Sequence, residues 1–322
     1  MNAPITSLIV LGCLASVGCG PGAEPAATTP AAAEPAPPTP APSPSAPAAP
    51  SAIEHELAEI ITASGFPGVF AASSQSGRLQ VCVGCDDMLP PASTFKVPHA
   101  LIAIELGVAS PDTEMAWDGV ERSISAWNRD HTLASAIQYS AVWYFRRLAP
   151  QIGRARMQRA LDQLDYGNRT IGAQLDGFWL DASLRVSPRQ QVNFWHRLHD
   201  LALPASPATH RQVLAMVELE RSDDAVLRGK TGWYQNPRDA QQIGWLTGCV
   251  LPATDDHGAA QGDDRGAARE RVCFALALRA REPFDGATFS RARFEVTGAL
   301  LRHLGLADLA GLTRLSPRQA RD

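Results

Sequence analysis

Apolar residues first recur at helical spacing at Ile53, Leu57, Ile60 and Ile61, behind a Ser51-x-x-Glu54 capping box and ahead of Gly65. Stretches 68–73 and 78–83 then read as a strand pair turned at Ser74-Gln75-Ser76-Gly77. An apolar run from Val97 to Ile104 predicts a helix that opens at Ser93 and ends at Gly107. From there to about Arg221 the pattern is mainly helical. Thr132 reads as a cap, Met157, Leu161 and Leu164 share one face, and Ser187-Pro188 and Ser206-Pro207 are cap-plus-proline starts. Strand patterns return at 225–229, 242–251 and 271–278, followed by a helix over 290–303 with Phe294, Leu300, Leu301 and Leu304 facing inward. The order of helix, strands, helices, strands, helix predicts an α+β fold. One antiparallel sheet is built from both chain ends and flanked by helices, with an all-helical subdomain inserted over about 107–221. The polar, Gly-rich stretch 254–270 reads as a long hairpin loop.

Composition divides the chain into three parts. Residues 1–19 read as a secretory signal, too short an apolar run to span a bilayer, and Ser16-Val17-Gly18-Cys19 resembles a bacterial lipoprotein processing site. Residues 20–50, almost entirely Ala, Pro, Thr, Ser and Glu, predict a disordered linker. Residues 51–322 carry the folded domain. The expectation is an exported, periplasmic protein that meets a membrane only through a lipid on Cys19. In that compartment Cys82 and Cys85 read as a structural disulfide, and Cys249 and Cys273 on consecutive strands as a cross-strand one. A net charge of −4 without a basic stripe argues against nucleic-acid binding.

The chemistry gathers around Ser93-Thr94-Phe95-Lys96. Three residues apart near a helix start, Ser93 and Lys96 share a face. A serine hydroxyl needs a base, and lysine becomes one where apolar neighbours such as Phe95, Val97, Leu101 and Ile104 disfavour its charge. A helix N-terminus adds free N–H groups for an oxyanion. Four further stretches follow: Tyr139-Ser140-Ala141-Val142, Tyr166-Gly167-Asn168, Phe178-Trp179-Leu180, and Lys230-Thr231-Gly232 on an expected edge strand. Singly each has an ordinary reading: helix cap, turn, aromatic core, strand. Their order around Ser-x-x-Lys is the specific signal.

With Pro91-Ala92-Ser93-Thr94-Phe95-Lys96, Trp117-Asp118-Gly119 and Ala136-Ile137-Gln138-x-Ser140-Ala141-Val142, the chain resembles class D serine β-lactamases from about Gly68 to Leu304. The resemblance implies a penicillin-binding transpeptidase-like fold and a β-lactam substrate. Ser93 is then the nucleophile, and Lys96 reacts with carbon dioxide to an N6-carboxylated general base. Phe95, Val142 and Leu180 keep that base dry and Trp179 donates to it. Ser140 relays a proton toward the departing lactam nitrogen, with Lys230 holding a positive field nearby. Thr231 and Arg291 bind the carboxylate beside Gly232, with Arg293 and Arg279 as competitors for Arg291, and the N–H groups of Ser93 and Trp233 form the oxyanion hole. No metal or cofactor beyond carbon dioxide is expected, and the oligomeric state stays open. Valine at 142 favours turnover over a non-hydrolytic β-lactam receptor or a D,D-peptidase, the two alternatives. A class A enzyme is disfavoured because 167–182 holds no glutamate. His196 and His199 lack companion ligands for zinc, and no Gly-x-Ser-x-Gly elbow is present.

Overall fold

The computed structural model of the protein describes residues 50–222, 225–235, 240–252 and 270–306. The expected leader, the linker up to residue 49, Cys19 and nearly all of the 254–270 loop lie outside the described residues.

Six strands form one antiparallel sheet, ordered β2 (Gln80–Val83), β1 (Gly68–Ser74), β8 (Val272–Arg281), β7 (Gln241–Pro252), β6 (Ala225–Gln235) and β5 (Glu218–Arg221). Early and late strands meet where β1 pairs with β8, as the pattern at the two chain ends predicts. The alternation along β8 shows how the sheet divides the core. Phe274, Leu276 and Leu278 pack into a cluster with helices α1 (Ala52–Ala63) and α8 (Gly286–His303). Cys273, Ala275 and Ala277 point into the other cluster, which holds the remaining helices. Those are α2 (Lys96–Glu105), α3 (Leu133–Gln138), α4 (Val142–Ile152), α5 (Arg154–Leu164), α6 (Pro188–His199) and α7 (Pro207–Met216). Their starts follow local chemistry: Thr132, Ser187 and Ser206 each accept from an N-terminal amide of the helix they cap.

Several elements depart from the pattern reading. Glu218–Arg221 is a strand rather than the end of the helical region, and it takes the sheet edge beside β6. It pairs only with Val226 to Arg228, so the stretch from Lys230 onward has no described strand on that side. A two-stranded sheet, β3 (Glu114–Met115) with β4 (His131–Thr132), interrupts the helices. Helix α8 begins at Gly286, because the Asp285 side chain accepts from the Ala287 and Thr288 amides and so starts the helix one turn earlier. Both expected disulfides form, Cys82 with Cys85 and Cys249 with Cys273 across the β7–β8 register. Among the described residues no helix is long and apolar enough to cross a membrane.

Candidate active site

Ser93 stands in a 3-10 turn, Ala92–Phe95, that runs directly into α2 at Lys96, rather than in the first turn of a single α-helix. Ala92 enters that turn at φ 48°, a conformation costly for a residue with a Cβ. The Ala92 N–H donates to the Trp179 carbonyl at 3.1 Å, and the Thr94 N–H to the Pro91 carbonyl at 3.1 Å, which hold it there. The three-residue spacing of Ser93 and Lys96 then does what helical geometry predicts: Lys96 Nζ donates to Ser93 Oγ at 2.5 Å. Lys96 is completely buried and Ser93 nearly so.

The walls around Lys96 are aromatic. Its Nζ lies 5.6 Å from the centroid of the Phe145 ring. Phe95 stacks on Trp179 at 5.8 Å, and His99 meets both Trp179 and Phe145 edge-to-face at 5.3 Å. Val142 and Leu180, expected to seal this chamber, are only half-buried. Phe145 and His99 do more of the enclosing. Each was visible as a helical neighbour, Phe145 three residues after Val142 and His99 three after Lys96. The indole Nε1 of Trp179 and both ring nitrogens of His99 are buried with no hydrogen-bond partner. Burial, reinforced by the charge of Lys96, pushes the His99 imidazole down to about 3.

Ser140 sits at φ 57° between α3 and α4, its hydroxyl buried and without a hydrogen-bond partner. The turn is braced by indoles: Trp127 Nε1 donates to the Tyr139 carbonyl at 2.7 Å, and Trp143 Nε1 to the Trp127 carbonyl at 2.9 Å. Lys230, Thr231 and Gly232 lie on β6, the first two almost fully buried. Lys230 Nζ donates to the Thr231 carbonyl at 3.1 Å and hydroxyl at 3.2 Å. At Gly232 a Cβ would sit 2.9 Å from the Pro91 carbonyl oxygen and 3.0 Å from Thr94 Cγ2. The missing side chain is therefore what lets β6 lie against the Ser93 turn and brings the Trp233 backbone beside it.

Tyr166-Gly167-Asn168 forms a clamp. Gly167 is left-handed, at φ 60°, and a Cβ there would come within 2.1 Å of the Arg185 carbonyl oxygen. That approach lets the Asn168 N–H donate to the same oxygen at 2.9 Å, while the Asn168 side chain accepts from the Arg185 N–H at 3.0 Å and donates to the Ser183 carbonyl at 2.9 Å. The clamp closes the loop that carries Phe178, Trp179 and Leu180.

Arg291 lies on the exposed face of α8, donating to Thr288 Oγ1 at 3.2 Å. The arginine on the inner face is Arg293, which is fully buried and crosses to β6 to donate to the Gly232 carbonyl at 3.3 Å and to Ser290 Oγ at 2.7 Å. Its path is open because Gly244 has no side chain: a Cβ there would lie 2.9 Å from Arg293 Cδ. Arg279 is engaged elsewhere, with Asp87. Of the histidine pair, His196 Nε2 is taken up by Ser73, 2.9 Å from its hydroxyl and 3.1 Å from its carbonyl. A cavity of about 550 Å³ beside His196, between the β1–β2 turn and α6, contains neither Ser93 nor Lys96.

The penicillin-binding protein transpeptidase domain matches residues 71–258 of the chain. β-Lactamase OXA-48 of Klebsiella pneumoniae is 42% identical over 161 residues, 50% of this chain and 60% of that protein. The regulatory protein BlaR1 of Bacillus licheniformis is 35% identical over 192 residues, 58% of this chain and 32% of that protein. The matched region thus spans 60% or less of these two curated relatives. The solved class D β-lactamase YbXI from Nostoc superposes with a TM-score of 0.67 at 32% identity, over 78% of this chain and 99% of that one. A protein followed almost end to end at that identity settles the kinship: the chain belongs to the class D serine β-lactamase family.

Proposed function

We propose that this protein hydrolyses β-lactam antibiotics through an acyl-enzyme on Ser93, with Lys96 as general base after reaction with carbon dioxide. The contact of Lys96 Nζ with Ser93 Oγ at 2.5 Å, in a completely buried position, carries the reading. Carboxylation would turn the amine into an anion able to take the proton of Ser93 and later that of water. The residues present fit such a group: Trp179 Nε1 has no other partner, and aromatic enclosure favours the neutral amine that carbon dioxide requires. Attraction to the Phe145 face does not reverse that preference. It is worth about 2 kcal/mol when desolvated, against several kcal/mol for taking an ammonium out of water.

The remaining groups have matching tasks. The hydroxyl of Ser140, which has no other hydrogen-bond partner, serves proton transfer to the departing lactam nitrogen. Lys230, with Thr231, supplies positive field beside it. Gly232 lets the Trp233 N–H stand with that of Ser93 where the oxyanion forms. Arg293, rather than Arg291, supplies the guanidinium charge near the substrate carboxylate through its position beneath Gly232. Export through the 1–19 leader, with a tether at Cys19 and the 20–50 spacer, would place this activity outside the cytoplasmic membrane.

The similarity to BlaR1 favours a second reading, a receptor that is acylated and stays so. Sustained turnover of a chromogenic β-lactam that rises with bicarbonate supports hydrolysis. One stoichiometric burst, flat with bicarbonate, supports the receptor. Val142→Asn separates the two further: a hydrogen-bonding amide at the entrance should raise the bicarbonate needed for half-maximal activity several-fold, and an unchanged requirement refutes the sealed-chamber account.

A further inference from the structure

We propose that His99 is the internal proton acceptor for carboxylation of Lys96 and the cationic partner of the anion that results. The inference rests on the reading of Lys96 given above and assigns a task to a residue that reading leaves out.

His99 follows Lys96 by three residues on α2, so the two side chains stand on one helix face. Phe145 flanks both of them, and Trp179 meets the His99 ring edge-to-face. His99 is completely buried and neither ring nitrogen has a hydrogen-bond partner. Buried polar atoms without partners are rare in folded proteins. Here three such atoms, two on His99 and one on Trp179, lie on two rings in edge-to-face contact with each other. A structural histidine would satisfy at least one nitrogen, as His131 does with Ser135 and Ala126 and His210 with Ser206.

The reaction requires an acceptor at this place. The lone pair of neutral Lys96 Nζ attacks the carbon of carbon dioxide, the N–C bond forms, and one C–O π pair moves onto oxygen. The nitrogen must then lose a proton, and in a chamber closed to water that proton needs a base. Ser93 is in contact with Nζ, but a hydroxyl is a poor base at neutral pH. A neutral imidazole can take the proton. Two neutral groups become a carbamate and an imidazolium, so the buried site keeps zero net charge. Besides burial, the charge of Lys96 is what acts on His99. Once the carbamate makes the Lys96 side chain an anion, its field is the opposite of an ammonium's and holds the proton on His99.

The test uses the whole protein labelled with 15N-histidine and titrated with 13C-bicarbonate at constant pH, followed by NMR. A carbamate carbon signal that grows together with conversion of one histidine, identified by its loss in His99→Asn, from imidazole to imidazolium supports the proposal. In His99→Asn and His99→Leu the bicarbonate needed for half-maximal carbamate should rise about 10- to 100-fold, the range expected for losing a charged hydrogen-bond partner. Carbamate formation while His99 stays neutral, or an unchanged bicarbonate demand in both variants, overturns it. Absence of any carbamate signal in the wild type overturns the Lys96 reading and this one together. If neither variant folds, the wild-type 15N titration decides, with the His99 signal identified by its through-space contacts to the ring protons of Phe145 and Trp179.

Discussion

Two lysines are buried within this site, and their surroundings differ. Lys96, on a helix, is enclosed by the faces and edges of Phe95, Phe145, His99 and Trp179, and meets a hydroxyl at its tip. Lys230, on a strand, points its ammonium at a carbonyl and a hydroxyl of the adjacent residue. Oxygen acceptors suit a cation, whereas aromatic walls suit a neutral amine. Nearly equal burial therefore favours a neutral amine at one position and a cation at the other, the division of roles proposed above.

The most severe way to break this contrast is to remove the base. Lys96→Ala should cut steady turnover by about 10³- to 10⁴-fold, with acyl-enzyme still detectable by mass spectrometry. Undiminished turnover would remove Lys96 from the base role. Lys230→Ala should lower kcat/KM less, by about 10²- to 10³-fold, without altering the bicarbonate requirement. A shifted requirement would mean that the two lysines are not chemically separate. Next in size is the arginine pair. Arg293→Ala should raise KM about 10-fold or more and lower the melting temperature, since it leaves the Gly232 carbonyl and Ser290 hydroxyl short of a partner. Arg291→Ala should stay within about 0.5 kcal/mol of wild-type stability and leave KM unchanged.

The smallest effect concerns acid. His99 and His199 are both pushed down by burial to about 3 from an ordinary 6.5. Below pH 6.5 the unfolded chain takes up protons that the folded chain refuses, so stability should fall as pH drops from about 6.5 towards 3. Above 6.5 neither histidine contributes a slope. Thermal unfolding across this window, followed without carbon dioxide so that Lys96 stays an amine, should be flatter for His99→Asn by about one proton. An equal slope would mean that the aromatic chamber is wetter than its burial indicates.

Much of the site could be read from spacing alone. Ser93 and Lys96 meet because three residues make nearly one helical turn, and that rule survives the change from 3-10 to α-helix between them. The Cys82–Cys85 pair and the Tyr166-Gly167-Asn168 turn were equally local, and the Cys249–Cys273 pair followed from two consecutive strands. What failed was helical phase. With α8 started at Ser290, Arg291 and Arg293 are hard to separate. With the Asp285 cap recognised, Phe289, Ala292, Arg293, Val296 and Leu300 form one buried stripe, and Arg293 belongs to it. The strand over 218–221 was missed because four residues with three charges carry no apolar alternation; its edge position tolerates that. The closing role of His99 and Phe145 depends on how α2 and α4 rotate against each other, which no single helix encodes.

The pairing of Cys249 with Cys273 has a topological consequence. It turns the connection between β7 and β8 into a covalent ring, closed by a bond in the middle of the sheet. A backbone cut anywhere between the two cysteines would yield two fragments on a reducing gel but one molecule in oxidising surroundings. The bond would keep β7, the neighbour of the strand bearing Lys230, covalently tied to β8 after such a cut.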